Sequence, residues 1–252
     1  MFPLSAEQEG TVSGERRLPL AGARNFRDLG GYPIRGGELA WGQVYRSDRL
    51  TDLTDDDVAA LLQRGLRTVI DLRTSAEASR YGPGRLSGHV ERLHLSLLTP
   101  QLALRPTLAY ADWAAAAVEP LSILFDRMVG DTDPFPLVFH CSVGKDRTGI
   151  VAALLLSALG APREVIVDDY ALTRQYFDPS SQGIGKWRRR VLRHFPGVPQ
   201  DRARQLLDAV PETMDSFLDE LSQRFGSIEG FLDSVGLRAP ERARLQQRLG
   251  GQ

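Results

Sequence analysis

One segment, residues 135–161, constrains the fold of this 252-residue chain more than any other. It begins with the short apolar run FPLVFHC, continues through the polar loop SVGKDRT and ends with the longer apolar run GIVAALLLSALGA. The short run predicts a buried strand, and the long run, which Gly160 and Pro162 terminate, predicts a buried helix. This helix is well short of the ~20 apolar residues needed to cross a bilayer. Strand, loop and buried helix in this order indicate an α/β protein.

Further strands and helices are predicted on the N-terminal side of this segment. Glycine pairs at 30–31 and 36–37 mark tight turns and predict a small hairpin. Thr54, followed by three aspartates and helical apolar spacing, predicts the start of a short helix. The runs LRTVIDL (66–72) and HVERLHLSL (89–97) predict a buried strand and a more exposed one.

The chain has no long Pro/Ser-rich linker, so we expect one domain over residues 21–252 after a loose lead-in over residues 1–20. Residues 107–128 are rich in alanine and predict helix that is broken near Pro120. Residues 162–252 are predicted to form a helical C-terminal part. Its clearest amphipathic stripe consists of Met214, Phe217, Leu218, Leu221 and Phe225. The predicted fold class is therefore α/β: a central, mostly parallel sheet flanked by helices, with an N-terminal hairpin and a helical C-terminal extension.

Composition excludes several classes of protein. One cysteine allows neither an internal disulfide nor a Cys-rich metal site, so a disulfide-stapled secreted domain is excluded. A net charge of −1 gives no overall attraction to nucleic acid, and no nucleic-acid partner is expected. The first residues lack the basic start and apolar stretch of a signal peptide, which favours a cytoplasmic protein without a transmembrane segment, with signal-independent secretion as the alternative.

The loop HCSVGKDRTG (140–149) has the character of an anion site. A loop between a strand and a helix N-terminus directs backbone N–H groups toward a common point, backed by the positive end of the helix dipole. Gly144 permits backbone geometry that a Cβ resists, and Arg147 offers two parallel donors to an oxyanion. The predicted phosphate cradle is formed by Ser142, Val143, Gly144, Lys145 and Thr148, with His140 and Gly149 supporting the loop.

Cys141 stands at the entrance of this loop. Thiols at helix N-termini and beside cationic groups ionise more readily than free thiols, so we expect a thiolate that attacks phosphorus. Arg147 would favour the transition state over the ground state. The hydroxyl of Thr148 lies where it could hydrogen-bond the sulfur as it leaves, and His140 is expected to order the loop rather than act as a base.

These residues resemble the signature of cysteine-dependent protein tyrosine phosphatases, which is HC, five residues, R, then S or T. The loop is similar to that of a bacterial subgroup of tyrosine and phosphoinositide phosphatases with HCxxGKDRTG. RNFRDLGG (24–31), YRS (45–47) and VIDLR (69–73) also resemble elements of that subgroup in their order.

The resemblance implies a phosphatase that forms a phosphocysteine intermediate and needs no metal or other cofactor. Its substrates would be phosphoproteins carrying phosphotyrosine and also phosphoserine or phosphothreonine, or phosphoinositides. In the related enzymes, a lysine at the position of Lys145 accompanies activity on phosphoinositides. A helical lid covers the site in that subgroup, and residues 98–130 are the lid candidate here, although a fixed packing helix would show the same sequence pattern.

Two aspartates are candidates for the general acid that protonates the leaving oxygen. The resemblance implies this role for Asp146, whereas Lys145 and Arg147 on either side of it favour its ionised form. Asp71 ends the strand VIDL, where apolar burial would raise its pKa. It could equally accept backbone N–H groups or pair with Arg73. Asp146 is the first choice and Asp71 the second.

Other interpretations stay open at this stage. By itself, a lone cysteine at a strand end is usually a buried small hydrophobe. A phosphate-binding module without turnover and a sulfur-transferring enzyme of the rhodanese kind would both use a similar loop. Residues 24, 25, 27 and 28 either contact substrate or form a buried polar network. The basic run KWRRR (186–190) either faces an anionic surface or is a solvated helix face. No metal site is proposed from His89 and His94.

Overall fold

The computed structural model describes residues 15–98, 109–176 and 208–251. Within these ranges, five strands form the main sheet in the order β1-β4-β7-β5-β6, and three form a second sheet in the order β2-β3-β8. The strands are β1 Arg27–Asp28, β2 Pro33–Ile34, β3 Gly37–Leu39, β4 Val44–Ser47, β5 Thr68–Asp71, β6 Glu91–His94, β7 Leu137–His140 and β8 Gly250–Gly251. Strand β1 is antiparallel to β4, and the other pairs of the main sheet are parallel, which confirms the predicted α/β class.

Helices pack around the main sheet. Their bounds are α1 Asp55–Gln63, α2 Ser75–Tyr81, α3 Tyr110–Ala116, α4 Val118–Val129, α5 Asp146–Ala158, α6 Arg163–Ala171, α7 Thr173–Tyr176, α8 Pro211–Phe225, α9 Ile228–Ser234 and α10 Ala239–Leu249. Across the part of the chain that the structure describes, none of these helices combines the length and apolar character that a bilayer-spanning segment requires.

The strand register places the chemistry at one edge of the main sheet. Ser47 at the end of β4 and Asp71 at the end of β5 are both register partners of His140, the last residue of β7. The three parallel strands therefore end at the same level, and the loops that follow them converge. The carboxyl edge of an open parallel sheet is where ligands bind in α/β proteins.

Helix α5 follows the β7 loop and lies in the core. Ten of its residues are buried, among them Ile150, Leu154 and Leu155. A helix that is apolar all round must be covered on every face, and α3, α6 and α9 pack against it. The helix therefore has little freedom to move, and its first turn holds the loop in place.

The N-terminal hairpin forms as predicted, with β2 antiparallel to β3. Gly31 and Gly36 adopt φ angles of 72° and 83°, which glycine favours over residues with a Cβ. Strand β8 adds a third strand to this hairpin. Within the described residues the predicted C-terminal extension is also helical. Four residues of its apolar stripe in α8, Met214, Phe217, Leu218 and Leu221, are buried, and Phe225 is half-buried.

The Ala-rich segment differs from the prediction in one respect. The helix breaks at Ala117 rather than near Pro120, which lies in the first turn of α4, where a proline costs no backbone hydrogen bond. Ala111, Leu121 and Leu124 in α3 and α4 are fully buried. This burial favours the fixed packing helix over the lid for the described part of residues 98–130. Residues 99–108 and the basic run 186–190 lie outside the described residues.

Candidate active site

Cys141 lies buried at the end of β7, at the start of the loop that leads into α5. The backbone N–H of Gly144 donates to its Sγ at 3.3 Å. Gly144 has a φ of 74°, and a Cβ there would lie within 2.7 Å of backbone atoms of Ser47 and Asp48. Both the conformation and the close approach to the end of β4 therefore require glycine, and the loop curls around the sulfur.

Side chains behind the loop hold its carbonyl groups. The amide of Asn25 donates to the carbonyls of Gly144 at 3.0 Å and Val143 at 3.3 Å, and Nη2 of Arg46 donates to Gly144 at 2.9 Å. Because the C=O and N–H of a trans peptide point in opposite directions, these bonds turn the N–H groups of Gly144 and Lys145 to the other side. One of them, Gly144 N–H, is the donor to Cys141.

A buried charge network supports these anchors. Asp169 of α6 accepts from Nε of Arg27 at 3.1 Å and from Nη1 of Arg46, and all three side chains are at most 1% exposed. The Arg46 and Arg27 charges overcome the effect of burial and lower the pKa of Asp169 to about 2. Asp28 accepts from the backbone N–H groups of Gly30 and Gly42. Residues 25, 27 and 28 therefore form a buried polar network, which was one of the two interpretations of the segment RNFRDLGG.

Arg147, in the first turn of α5, is paired with Glu77 of α2. Nη1 lies 2.5 Å from Oε2 and Nη2 lies 2.9 Å from Oε1, an end-on bidentate pair. Burial alone would raise the pKa of Glu77, but the Arg147 guanidinium and the Ser142 hydroxyl lower it to about 2. Burial alone would lower the pKa of Arg147, but the Cys141 and Glu77 charges outweigh burial and raise this pKa above its usual value. The sulfur, Arg147 and Glu77 thus act on one another electrostatically.

Asp71 is buried among cationic groups. Its carboxylate accepts from Nε of Arg73 at 2.8 Å and Nη2 at 2.7 Å, and from Nη2 of Arg92 at 2.6 Å. Burial alone would raise its pKa, as expected from the sequence. The hydrogen bonds from Arg73 and the His140 and Arg73 charges outweigh burial and hold the pKa of Asp71 well below its usual range. The structure therefore shows the Arg73 pair that was the alternative interpretation of this residue.

His140 lies between Asp71 and the loop. Its Nδ1 is 3.2 Å from the carbonyl oxygen of Cys141, and its Nε2 is 3.8 Å from Oδ1 of Asp71. Burial lowers the pKa of His140 to about 4, against the attraction of the Asp71 carboxylate. The imidazole is therefore neutral at physiological pH, and its contact with the loop backbone fits the predicted ordering role.

Asp146 occupies a different environment at the first residue of α5. Its side chain is 30% exposed, accepts from the hydroxyl of Tyr110 and lies 3.2 Å from Nζ of Lys145. Tyr110 and Tyr170 share a hydroxyl contact of 2.9 Å. Burial and the Asp146 charge raise the pKa of Tyr110 well above its usual value, so its hydroxyl stays protonated and donates.

The remaining loop residues are placed as follows. Lys145 is buried, and its Nζ also donates to the carbonyl of Asp208 at 3.4 Å. Thr148 is fully buried, and its hydroxyl has no hydrogen-bond partner among the residues described, so the predicted bond to the sulfur is not formed. Gly149 lies so close to the ring of Tyr170 that a Cβ would approach it to 2.9 Å. Residues 15–98, 109–176 and 208–251 hold no group of three His, Cys, Asp or Glu side chains suited to a metal ion.

Comparison with known proteins identifies the family. A family model described as tyrosine phosphatase family matches residues 18–251. The chain belongs to the tyrosine phosphatase family. A tyrosine-protein phosphatase from Nostoc commune is 30% identical over 81% of this chain and 73% of that protein. The triple specificity protein phosphatase PtpB from Mycobacterium tuberculosis is 28% identical over 88% of this chain and 94% of that protein.

Among solved structures, the chain is also similar to the core catalytic domain of the PP-IP phosphatase SIW14 from S. cerevisiae. Its sequence is 14% identical, the match covers 84% of this chain and 97% of that chain, and the TM-score is 0.40.

Some residues that surround the candidate site were not singled out as site residues from the sequence. Glu77, Tyr110 and Arg46 contact residues of the loop, and Asp169 pairs with Arg46 behind it, yet none of the four lies near the loop in the chain. For Glu77 a partial signal exists. Thr74-Ser-Ala-Glu77 has the spacing of a capping box, which predicts the start of α2 but not the partner of the carboxylate.

Proposed function

We propose that this tyrosine phosphatase hydrolyses phosphomonoesters with Cys141 as the nucleophile. The observation that carries the proposal is the loop geometry: carbonyl groups tied back by Asn25 and Arg46, and an N–H group directed at the sulfur. The positive end of α5 lies behind the same loop and favours negative charge there. A site of this kind both stabilises a thiolate and accepts the oxygens of a phosphoryl group.

The reaction then takes two steps. The Cys141 sulfur attacks phosphorus, the bond to the ester oxygen breaks, and Asp146 gives its proton to that oxygen. The Asp146 carboxylate then takes a proton from water as the water oxygen attacks phosphorus. The sulfur–phosphorus bond breaks, inorganic phosphate forms, and the thiolate is restored. Thr148 has a hydroxyl free to stabilise the departing sulfur.

Arg147 and the loop N–H groups would hold the phosphoryl oxygens in both steps. Negative charge grows on these oxygens in the transition state, and fixed donors stabilise it without reorganisation. In this proposal Asp71 is a structural anion rather than an acid, because its pKa is held far below that of a proton donor at neutral pH. Asp146, partly exposed at the loop, is the general acid.

We further propose that the substrates include phosphotyrosine proteins and extend to phosphoserine, phosphothreonine and phosphoinositides. Two observations support this breadth: the relative from M. tuberculosis is named as a triple specificity phosphatase, and Lys145 adds a cation to the loop. Initial rates on phosphotyrosine peptide, phosphoserine peptide and phosphoinositide, each with wild type and Lys145→Ala, test it. Selective loss of phosphoinositide activity is expected, and an equal loss on all three would contradict the role of Lys145.

The central experiment compares wild type with Cys141→Ser on para-nitrophenyl phosphate. We expect hydrolysis by wild type, none by the variant, and a phosphoryl group on Cys141 in the acid-quenched wild-type enzyme. A phosphate-binding module without turnover would bind orthovanadate but release no nitrophenol. A rhodanese-like enzyme would instead be active with thiosulfate and cyanide.

Cytoplasmic location stays a prediction, which cell fractionation tests.

A further inference from the structure

Two tyrosine hydroxyls connect helix α6 to Asp146. The hydroxyl of Tyr110, in α3, donates to Oδ1 of Asp146. Tyr170 lies in α6, and its hydroxyl oxygen is 2.9 Å from that of Tyr110. Both tyrosine side chains are buried. The two hydroxyls therefore form a short hydrogen-bonded chain that begins in the core and ends at a partly exposed carboxylate of the loop.

Aromatic packing fixes both rings. The Tyr110 ring makes edge-to-face contacts with Tyr170 and with Phe217, in each case with the ring centroids 6.2 Å apart. The Tyr170 ring lies against α5 at Gly149, where a Cβ would approach it to 2.9 Å. Because neither ring can turn away without opening the packed core, the two hydroxyls are held at fixed positions.

The direction of the chain follows from its hydrogens. Tyr110 has one hydroxyl hydrogen, and it is donated to Asp146. Tyr170 is then the donor in the contact between the two hydroxyls. The reverse direction would leave the Tyr170 hydrogen without an acceptor among the described residues, and an unpaired buried donor is costly. Burial raises the pKa of both tyrosines, so both hydroxyls keep their hydrogens at physiological pH.

The two oxygens of Asp146 have different surroundings. Oδ1 accepts from the Tyr110 hydroxyl and lies 3.2 Å from Nζ of Lys145. A carboxyl oxygen that bears no proton has two lone pairs, and these two donors use both lone pairs of Oδ1. When Asp146 is protonated, the proton therefore belongs on Oδ2.

We propose that Tyr170 is a positioning residue for the general acid: through Tyr110 it keeps Oδ1 of Asp146 as an acceptor, so that Oδ2 carries the proton that the leaving oxygen receives. The inference rests on the function proposed above, in which Asp146 protonates that oxygen. As the proton leaves Oδ2, negative charge grows on the carboxylate, and donors that are already in place stabilise it. Because each hydroxyl polarises the next, Tyr170 strengthens the bond that Tyr110 makes to the charged oxygen.

The opposite role would be a proton store, in which Oδ1 of Asp146 donates to Tyr110 and Tyr110 donates to Tyr170. The acidic proton would then point away from substrate. The Lys145 ammonium, 3.2 Å from Oδ1, opposes protonation of that oxygen. The two roles predict opposite effects of removing the Tyr170 hydroxyl: loss of a donor chain makes Asp146 a weaker acid, and loss of an acceptor chain makes it a stronger one.

Charged groups around the chain also act on it. Lys145 and Arg147, on either side of Asp146, bring positive charge to its carboxylate. The charges of Asp146, Arg46 and Asp208 act on the Tyr170 hydroxyl. A tyrosine-to-phenylalanine substitution removes none of these charges, so a change in the acidity of Asp146 reports the missing hydroxyl.

The chain contains a matched control that involves the same helix. The hydroxyl of Tyr32 donates to Oδ1 of Asp169, the residue before Tyr170, at 3.2 Å. Asp169 also has ion pairs with Arg27 and Arg46, which do not depend on that hydroxyl. Tyr32→Phe therefore deletes a hydroxyl bonded to a carboxylate of α6 without touching the chain that leads to Asp146.

The test compares Tyr170→Phe and Tyr32→Phe with wild type, all as full chains, on phenyl phosphate over a series of pH values. The alkaline limb of kcat/KM reports the acidity of the general acid in the free enzyme. We expect Tyr170→Phe to lower kcat/KM below this limb by about three- to tenfold, the size of one hydrogen bond. The limb should move to higher pH by about 0.5–1 unit, which is the same factor in an acid constant. Tyr32→Phe should keep the wild-type values.

A double variant tests the route through Tyr110. In a Tyr110→Phe background, Tyr170→Phe should have no further effect on kcat/KM or on the alkaline limb. Phenylalanine keeps the ring in each case, so the aromatic packing is retained.

Three results would overturn the inference while leaving the proposed function intact. The first is a Tyr170→Phe enzyme whose alkaline limb stays at the wild-type pH, and the second is a limb that moves to lower pH, as a proton store requires. The third is an additive loss in the Tyr110→Phe background. Failure of the proposed function looks different, since Cys141→Ser would then match wild type.

Discussion

The two aspartates that border the loop, Asp71 and Asp146, carry the same functional group in contrasting environments. Asp71 is fully buried and receives hydrogen bonds from two arginines. Asp146 is 30% exposed and receives a hydrogen bond from a tyrosine hydroxyl. The first environment binds the negative charge permanently, whereas the second leaves a carboxyl that can meet water and substrate. A carboxylate that lies beside a catalytic loop is therefore not necessarily a general acid, because the groups that it contacts determine its role.

The largest expected effect is on stability at Asp71. Asp71→Asn removes the charge that pairs with Arg73, and both side chains are fully buried. Leaving a buried cation without its partner typically costs about 3–5 kcal/mol in the free energy of unfolding. Urea denaturation measures this loss. A variant as stable as wild type would show that the Asp71 network does not support the fold.

The next effect is on catalysis at Asp146. Asp146→Asn is expected to lower kcat for phenyl phosphate by about 10²-fold, the lower end of what a general acid contributes. The loss should be smaller for para-nitrophenyl phosphate, whose leaving group needs less protonation. Asp71→Asn, assayed where it is folded, should show the wild-type dependence on leaving group. If the two variants exchange these patterns, the assignment of the acid is reversed.

A pH effect separates the two aspartates through His140, which Asp71 faces and Asp146 does not contact. Burial lowers the pKa of His140 to about 4 in the folded protein, against an ordinary value of about 6.5. The unfolded chain thus binds the proton first as pH falls, so stability contributed by this group is complete above pH ~6.5 and is lost toward pH 4.

The expected slope is at most about 1.4 kcal/mol per pH unit between these values. Asp71→Asn removes the charge that favours protonated His140 and should extend the decline to lower pH. Asp146→Asn should leave it unchanged. Urea denaturation at a series of pH values measures the decline, and a decline that ends at the same pH in both variants would remove His140 as its source.

The smallest expected effect concerns the Tyr110 hydroxyl, which donates to Asp146. Tyr110→Phe deletes this bond, which stabilises the carboxylate that forms as Asp146 gives up its proton in the transition state. We therefore expect kcat for phenyl phosphate to fall by about tenfold, or roughly 1.4 kcal/mol, in line with one hydrogen bond to a charged group. In an Asp146→Asn background the same substitution should have little further effect. Additive losses would mean that Tyr110 acts independently of Asp146.

Local sequence patterns were sufficient for much of the fold and for the loop. The run LRTVIDL contains β5, FPLVFHC contains β7, and the helix after the loop is α5. Hydrophobic periodicity and capping residues act over a few positions, so they can be interpreted without knowing the rest of the chain. The helix break was predicted near Pro120 instead of at Ala117, because proline disrupts the interior of a helix but is tolerated in its first turn. Only the bounds of the helix distinguish these two positions of a proline.

The partners of the site residues could not be predicted in the same way. Glu77 lies 70 positions from Arg147, and Arg46 lies 123 positions from Asp169. Such pairs depend on which strands become neighbours in the sheet, and no short pattern encodes this. The environment of Asp71 shows the consequence: its burial and the pair with Arg73 were anticipated, but His140, whose charge also lowers the pKa of Asp71, comes from the neighbouring strand β7.

The network around Asp169 also bears on how the enzyme acquires activity during folding. The Gly144 carbonyl is held by residues 119 and 98 positions earlier in the chain, and Arg27 meets Asp169 across 142 positions. Contacts between such distant residues close late, because the loop entropy must be paid before they form. In refolding experiments, recovery of phosphatase activity should therefore lag behind recovery of helical circular dichroism, which makes turnover a reporter of the last stage of assembly.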